Sequence, residues 1–429
     1  MAVMRNGGFP TNLLSGLLSG LLMLVLGLLF THPAAANPAF ARQYGLSCVV
    51  CHAAFPRLNS FGEQFLADNI HLPNWREAIG VETGDDRLML PKFPPLAFRA
   101  QAYVRARQDE ARDSGGTTTA DPASDFQTPY LIKLLAGSPL SEHMSFYFYG
   151  ILAEKGVNGE TIVEDAWITH DDLFGSGVGM MLGQFQLTDL MFPRETRLTV
   201  QDFIPYRMAG ITYERGVTFD TDAGPLSLAL GLVNGNGIDA NAKVNSAGFD
   251  RPDRAFDTDS KKSVFGRIGG QAGPVRLGLF GLSGKQRNAA DNRDVDKQVL
   301  GLDFSANHNN QLFWFVQLLQ NRWDDFLTVG KTAEWNGGFA GLDYIYSDRW
   351  AYSLLYSYAD AGDLADSGTV YEGIDLNTLT ATASYYFMRN VKGVIELNVD
   401  LQNKDSNPND GIGHDTKEGY FLLGFDTAF

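Results

Sequence analysis

The stretch AFRAQAYVRAR, residues 97–107, decides the fold because its side chains alternate between two chemical classes. One set is apolar, and the other is polar or phenolic and includes Arg99, Arg105 and Arg107. Alternation with a period of two places the two sets on opposite faces of a β-strand. The same period recurs at 226–233, 275–282, 299–306, 376–387 and 391–401. The sequence therefore predicts an all-β architecture from residue 97 onwards.

The predicted strands number roughly sixteen, an even number, as bacterial single-chain barrels require. They are expected to start near residues 97, 127, 142, 161, 177, 207, 225, 262, 273, 296, 310, 336, 350, 374, 391 and 416. This count predicts an outer-membrane β-barrel in a Gram-negative bacterium, in contact with outer-membrane lipid.

The connections between the predicted strands alternate in length, which sets the orientation of the barrel. Long polar connections are predicted at Asp109–Asp125, Leu187–Tyr206, Asn234–Lys261, Gln286–Asp294, Trp323–Trp335, Asp360–Gly373 and Asn403–Asp415. Short ones are predicted at Ser138–Ser141, Ala272–Pro274, Asn307–Asn310, Ser347–Arg349 and Met388–Asn390. Long outside loops and short periplasmic turns are typical of outer-membrane barrels. With an even strand count, both ends of the barrel segment face the periplasm.

The C-terminus agrees with a barrel, because Phe421, Leu423 and Phe425 alternate up to a terminal Phe429. This pattern resembles the terminal strand by which bacterial assembly machinery recognises outer-membrane barrels. A soluble β-sandwich is the alternative fold. A sandwich does not require long and short connections to alternate over so many strands.

Composition excludes several classes of protein. The 429 residues include 46 Gly and 2 Cys, and 44% are hydrophobic, which excludes collagen-like, disulfide-stapled and disordered chains. The net charge of −16 argues against nucleic acid as a partner, because phosphates attract basic surfaces. The mean hydropathy of −0.14 is too low for a bundle of membrane helices, but it is compatible with strands that alternate polar and apolar residues.

The N-terminus has the layout of a secretory signal peptide. A nearly uncharged start is followed by an apolar run over 13–30, a break at His32-Pro33, and small residues at 34–36 that form a cleavage site. A retained transmembrane anchor is the alternative, because the apolar run is about long enough to span a bilayer. The sequence predicts a signal peptide over 1–36 and an exported chain from residue 37.

The only cysteines form the motif Cys48-Val49-Val50-Cys51-His52. This spacing is the attachment pattern of a c-type haem, in which two thiols bond to the porphyrin and the histidine binds the iron as proximal ligand. The alternatives are a disulfide, a redox dithiol and half of a zinc site. Zinc needs four ligands, and the chain has no second cluster of Cys or His. A redox dithiol of the thioredoxin type needs a βαβ setting, which the pattern lacks.

The segment that carries this motif is too small to shelter a haem by itself. Residues 37–96 contain one helix-like stretch, predicted over 57–69, which offers little apolar surface. Sixteen tilted strands, in contrast, enclose a lumen wide enough to hold water. We therefore expect 37–96 to be a monohaem cytochrome c plug that enters the barrel of residues 97–429 from the periplasmic side.

Other candidate haem contacts are less specific. His71 is the nearest following histidine and the predicted sixth iron ligand, with Met89 as the next choice. A ligand from the barrel wall, such as His143 or Met144, or no protein ligand, is the alternative. Three arginines on one strand face can pair with haem propionates or serve as general lumen charge: Arg99, Arg105 and Arg107. Two acidic groups in the predicted loops are either solvated or able to bind divalent cations: Asp239, Asp250, Asp253, Asp257 and Asp259, and Asp405, Asp410 and Asp415.

The stretch ANPAFARQYGLSCVVCH, residues 36–52, followed by Pro56, Leu58 and Gly62, resembles the fused porin–cytochromes of the outer membrane. The resemblance covers 36–62 in detail, and it departs from the family pattern at Tyr44, where Thr is usual. The best-known members are the iron-oxidising outer-membrane cytochromes of iron bacteria. The resemblance thus implies covalent haem c, extracellular Fe(II) as electron donor and a periplasmic electron carrier, such as a soluble cytochrome, as acceptor.

The expected function is to move single electrons across the outer membrane. The redox centre would be held by Cys48, Cys51 and His52, and no residue set indicates bond-making catalysis. Two alternatives stay open: a pore whose haem is structural or regulatory, and an outward conduit that reduces extracellular acceptors. Sequence cannot give the direction of electron flow, because ligand identity and burial set the reduction potential.

Overall fold

The computed structural model describes residues 39–73, 75, 80–112, 118–120, 123–153, 162–235, 260–288, 291–326, 328–360, 376–401 and 415–429. These residues belong to one compact unit, Asn37–Phe429. Among them, no helix is both long enough and apolar enough to cross a membrane.

Short elements make up the N-terminal part of the described chain. They are helix α1 (Ala39–Tyr44), a 3-10 turn (Cys48–Val50), strands β1 (His52–Ala54) and β2 (Arg57–Leu58), helix α2 (Ser60–Ala67), and strands β3 (Gly80–Glu82) and β4 (Met89–Pro91). The helix-like stretch predicted over 57–69 is thus shorter than expected. Helix α2 begins only after Asn59, whose side-chain oxygen accepts a hydrogen bond from the Gly62 backbone N–H and caps the helix.

Sixteen long antiparallel strands close into a barrel, and one three-residue strand, β6, is added beside β5. The strands are β5 (Leu96–Arg112), β6 (Thr118–Ala120), β7 (Ala123–Pro139), β8 (Met144–Ala153), β9 (Ile162–His170), β10 (Gly179–Gln186), β11 (Tyr213–Ala223), β12 (Leu226–Val233), β13 (Ser263–Ala272), β14 (Val275–Arg287), β15 (Asp294–His308), β16 (Leu312–Asp324), β17 (Thr332–Ile345), β18 (Trp350–Asp360), β19 (Leu376–Met388), β20 (Val391–Asp400) and β21 (Asp415–Ala428). The last strand, β21, pairs with β5 and closes the barrel.

The barrel confirms the predicted all-β fold and the predicted number of strands. Each predicted strand start agrees with the structure to within four residues, except at β11, which begins at Tyr213 instead of near 207. Alternate side chains of a strand face the inside and the outside of the barrel. On β18, for example, Tyr352 and Leu354 on the outer face are 40% and 43% exposed, whereas Ser353 between them is buried. The outer face is apolar, as a bilayer requires.

Short turns gather at one end of the barrel, as the connection lengths predict. Strands β19 and β20 are joined by two residues, and β13 and β14 also by two. The first and last barrel strands meet at this same end, where the backbones of Phe98 and Phe429 exchange hydrogen bonds of 2.6 and 2.8 Å. We call it the short-turn end.

One predicted outside loop lies instead within the barrel. Residues 187–212, which we call the lumen segment, contain two 3-10 turns (Leu187–Leu190 and Arg194–Thr196) and helix α3 (Ile204–Met208). Phe203 and Tyr206 of this segment are fully buried, and the Phe203 ring stacks on inward-facing Phe339 at 4.2 Å. The expectation of an outside loop at Leu187–Tyr206 is therefore wrong. Its apolar side chains bury their surface against an apolar part of the inner wall.

Contacts with distant strands show that the lumen segment crosses the interior. Glu195 forms an ion pair with Lys133 on β7 at 2.9 Å, and the Gly210 carbonyl accepts a hydrogen bond from Lys297 on β15 at 2.7 Å. At its centre, the Val200 and Gln201 backbone N–H groups donate to the carboxylate of Glu396 on β20 at 2.6 and 2.8 Å. Residues 187–212 therefore occupy the lumen, for which the sequence predicted only residues 37–96.

Candidate functional site

The Cys-x-x-Cys-His motif forms one tight turn at the short-turn end of the barrel. Cys48–Val50 make a 3-10 turn, and the Cys51 backbone N–H donates to the Cys48 carbonyl at 3.2 Å. Both thiols are free, so the structure holds no disulfide between them. Both side chains are half-buried, and burial raises the pKa of each thiol.

The His52 ring is held in one tautomer. Its Nδ1 lies 3.1 Å from the Pro56 carbonyl oxygen, which can only accept, so Nδ1 carries the proton. That tautomer makes Nε2 the unprotonated nitrogen, the one able to bind a metal. Burial lowers the pKa of His52 to about 4, with the cations of Arg99 and Lys392 acting in the same direction. The imidazole is thus neutral near pH 7, as a ligand must be.

Asn59 and Gly62 fix the cysteine turn against helix α2. The Asn59 side-chain amide donates to the Val49 and Val50 carbonyls at 3.2 and 3.0 Å, and its backbone N–H donates to the Cys51 carbonyl at 2.9 Å. A Cβ at Gly62 would lie 2.1 Å from that same Cys51 oxygen. Only glycine allows α2 to approach the turn this closely.

Residues of the barrel strands contact Phe55, which lies three residues after His52. The Phe55 carbonyl accepts hydrogen bonds from Lys392 Nζ at 2.7 Å and from the Tyr386 hydroxyl at 3.2 Å. The Phe55 ring lies 5.2 Å from the His52 ring and 5.0 Å from the Arg99 guanidinium. The wall of the barrel therefore contacts the residue that adjoins the histidine.

Arg57 joins three parts of the molecule. Its Nε donates to the Asp343 carboxylate on β17 at 2.7 Å, and both side chains are buried. Its Nη1 lies 3.3 Å from the Thr196 hydroxyl, and its guanidinium lies 4.8 Å from the Phe192 ring, both in the lumen segment. The motif-bearing segment, the lumen segment and the wall thus meet at one side chain.

Residues 39–72, which we call the mouth segment, contact turns around the short-turn end. Three of these contacts lie on different parts of the rim: Gln43 with Ser138 at 3.2 Å, Ser60 with Asn310 at 2.9 Å, and Glu63 with Arg276 at 2.6 Å. The mouth segment therefore lies at the end of the barrel that carries the short turns.

His71 is fully buried, with both ring nitrogens next to carbonyl oxygens. Nδ1 lies 2.9 Å from the Asn69 oxygen, and Nε2 lies 3.0 Å from the Ser141 oxygen. Iron binding would require one of these contacts to be released, so the sixth-ligand role of His71 stays a prediction. Met89 lies in strand β4 and is 49% exposed.

The wall alternatives sit at the rim beside the mouth segment. His143 Nδ1 pairs with the Asp171 carboxylate at 2.8 Å, and its ring stacks on His170 at 5.6 Å. The neighbouring Met144 is the first residue of β8.

The three arginines of β5 do not act alike. Arg99 is engaged in a two-point pair with Asp426, at 3.0 and 2.8 Å, so its guanidinium already has a carboxylate partner. Arg105 lies 4.0 Å above the Tyr420 ring. It is six residues along the strand from Arg99, roughly 20 Å at the usual rise. The pairing of these arginines with haem propionates therefore stays a prediction.

The acidic loop groups at Asp239–Asp259 and Asp405–Asp410 lie outside the described residues. Asp415 is the first residue of β21. Across the described ranges, no three His, Cys, Asp or Glu side chains are arranged to hold a metal ion. A haem site would therefore rest on the covalent thiols and His52.

Sequence comparison alone identifies no relative, because no protein-family model and no curated protein matches the chain. Solved structures do match. An anion-selective porin from Comamonas acidovorans aligns with a TM-score of 0.54 and 13% identity over 78% of this chain and 98% of its own. The fold is that of a porin. OmpF of Salmonella typhi, solved with daunomycin, aligns with this porin-type barrel at a TM-score of 0.52 and 13% identity, over 78% of this chain and 97% of its own.

Several residues of the site carry no local sequence signal. Lys392, Asp426 and Asp343 look like ordinary inward-facing charges of a barrel strand. Asn59 is the exception, because an Asn before SFGEQF has the form of a helix N-cap and lies close to the cysteine motif.

Proposed function

We propose that the protein is an outer-membrane c-type cytochrome that takes single electrons from extracellular Fe(II) and passes them to a periplasmic carrier. Each ferrous ion loses one electron and becomes ferric, and the carrier gains that electron. Haem c, covalently bound, would supply a one-electron centre. Cys48 and Cys51 would hold it, and His52 Nε2 would bind the iron.

The placement of the motif is the observation that carries this proposal. Two free thiols and a neutral imidazole, with its proton on Nδ1, stand together at the short-turn end of a porin-type barrel. A metal-binding histidine usually donates a hydrogen bond from its other ring nitrogen to a carbonyl or a carboxylate, as Nδ1 does here. A zinc site would need further metal-ligating side chains beside these three residues, and none is grouped with them in the described part of the chain.

The barrel offers a reason to attach a redox centre at this position. Its apolar outer surface fits a bilayer core, and the apolar band of such barrels is about 25 Å tall. The lumen segment crosses the interior and contacts Arg57 of the mouth segment through Thr196 and Phe192. Protein therefore extends without a break from the interior of the barrel to the motif.

Iron as the donor rests on the resemblance of 36–62 to the iron-oxidising porin–cytochromes. Ferric iron precipitates near neutral pH, so oxidation on the outside keeps the product out of the cell. The outward conduit uses the same residues with the electron flow reversed.

A solute pore with a structural haem is the second candidate, and the porin fold favours it. The lumen segment argues against free passage, because it bridges β7, β15 and β20. Conductance in planar bilayers separates the two functions. A wide, stable channel supports the pore, whereas a low conductance supports electron transfer.

The direct test is a spectroscopic redox titration of purified protein. We expect oxidised protein to show reduced-haem bands within seconds of Fe(II) addition, at some pH from acidic to neutral. Protein with Cys48→Ala and Cys51→Ala should assemble as a barrel and show no such bands. Haem that stays ferric across this pH range would exclude iron, and a protein without covalent haem would exclude the cytochrome.

A further inference from the structure

We propose that Lys392, with Arg99 and Asp426, positions His52 and supplies a net positive charge that favours reduction of a metal centre bound there. This inference rests on the proposed function and identifies what regulates the same site. Two of the three residues, Lys392 and Asp426, lie more than three hundred positions from the motif in the sequence.

The positioning contact runs through the Phe55 backbone. Lys392 is 3% exposed, and its Nζ donates to the Phe55 carbonyl at 2.7 Å. The next residue, Pro56, supplies the carbonyl that holds His52 Nδ1. A buried ammonium on one peptide oxygen thus fixes the peptide that adjoins the histidine's own hydrogen-bond partner. Loss of Lys392 would leave the Phe55 carbonyl with the Tyr386 hydroxyl as its remaining donor. Residues 55 and 56 would then be free to shift.

The charge effect comes from an imbalance in the same cluster. Arg99 Nη2 lies 2.8 Å from an Asp426 oxygen, and Lys392 Nζ lies 3.4 Å from that carboxylate. Two buried cations therefore contact one buried carboxylate, so these three groups carry an excess of one positive charge, and the carboxylates of Glu396 and Glu195 act on Lys392 and Arg99 only from beyond ion-pair distance. Both cations lie near His52, because the Phe55 ring, 5.2 Å from the His52 ring, lies 5.0 Å from the Arg99 guanidinium and 5.8 Å from Lys392 Nζ. A nearby cation disfavours the more positive ferric state relative to the ferrous state.

The experiment measures the midpoint potential of the holoprotein in three variants. Lys392→Met removes one cation and is expected to shift the ferric–ferrous equilibrium about tenfold towards ferric, which is ~59 mV for one electron. Lys392→Arg keeps the charge and a donor, and should restore most of the potential. Asp426→Asn removes the only carboxylate of the cluster, so it should shift the potential in the opposite direction.

Lys297→Met is the matched control. Lys297 is also a fully buried lysine of the inner wall, but its Nζ donates to the Gly210 carbonyl of the lumen segment at 2.7 Å. It lies eleven residues along β15 from His308 at the short-turn end, roughly 36 Å at the usual rise, so this variant should leave the potential unchanged. Equal shifts in Lys297→Met and Lys392→Met, or shifts of the same sign in Lys392→Met and Asp426→Asn, would overturn the charge assignment.

The positioning role is tested without any haem. In a Cys48→Ser, Cys51→Ser background, trypsin should cleave after Arg57 at least tenfold faster when Lys392→Met is added, whereas the barrel strands stay intact. Unchanged cleavage would overturn the positioning role. This proteolysis experiment measures only the contact between the barrel and the mouth segment. Its result is therefore valid even if the wild-type protein carries no haem.

Discussion

Replacement of Arg57 by methionine is expected to release the mouth segment from the barrel. Arg57 is 4% exposed, and its partner Asp343 is completely buried on β17. The same carboxylate accepts a hydrogen bond from Ser353 at 2.6 Å, so it is fixed in place and cannot turn towards water. Methionine has a long apolar side chain that can occupy the same space beside the Phe192 ring, but it carries no charge.

The magnitude follows from the burial of the pair. Removal of one partner of a buried ion pair costs about 3–5 kcal/mol, because the other charge is left uncompensated. At 1.4 kcal/mol per tenfold change, local opening of the mouth segment should become roughly 10² to 10³·⁵ times more frequent. Removal of both charges, with Arg57→Met and Asp343→Leu together, should recover most of this loss, since no buried charge remains.

Amide hydrogen exchange on protein in detergent or nanodiscs measures this opening, at backbone N–H groups such as that of Asn59. Arg276→Met is the matched control. Its pair with Glu63 also ties the mouth segment to the barrel, at 2.6 Å, but the two side chains are 55% and 29% exposed. Exposed pairs contribute about 0–1 kcal/mol. Equal protection losses in the two variants, or no recovery in the double variant, would refute the reasoning from burial.

Four further outcomes are expected. Gly62→Ala should lower the fraction of protein with covalent haem, measured by the haem-to-protein absorbance ratio, because its Cβ would lie 2.1 Å from a backbone oxygen of the cysteine turn. Gly281→Ala is the control, because the nearest atom to its Cβ, at 3.9 Å, is the end of the Leu300 side chain. Glu396→Ala should orphan two backbone donors of the lumen segment, cost about 1–3 kcal/mol for each unsatisfied group, and raise bilayer conductance; an unchanged conductance would contradict this role. His71→Ala should shift the visible spectrum towards high spin while the haem remains covalently attached, and an unchanged low-spin spectrum would exclude His71 as the sixth ligand. A tag within 234–261 should be labelled on intact cells and one at 347–349 should not; labelling of both would contradict the orientation.

The strands could be predicted because their signal is local. On β5 and β18, alternate residues face bilayer and interior, and a period of two records this directly in the sequence. The start of β11 was missed because residues just before it are apolar without belonging to a strand. Phe203 and Tyr206 were assigned to a polar outside loop, yet they pack inside the barrel as part of the lumen segment.

The motif of Cys48, Cys51 and His52 can be recognised in the sequence, because the attachment pattern of a c-type haem is defined by residue types and spacing within five positions, and the haem itself stays a prediction. The structure adds a partner for Arg99 that its sequence neighbours do not indicate. The adjacent strand β21 supplies Asp426, whose carboxylate lies 2.8 Å from Arg99 Nη2. Which charge faces which other charge depends on strand pairing and register across the closure of the barrel.

The sequence by itself determined the strand order, the long and short connections and the haem-type motif, since each depends on residues that are neighbours in the chain. Only the tertiary structure decided where the lumen segment lies and what holds the motif. Arg57 and Asp343 are 286 residues apart, and Phe55 and Lys392 are 337 apart. Such pairs form only when the barrel has closed, because closure brings distant strands around one interior where buried charges must find partners.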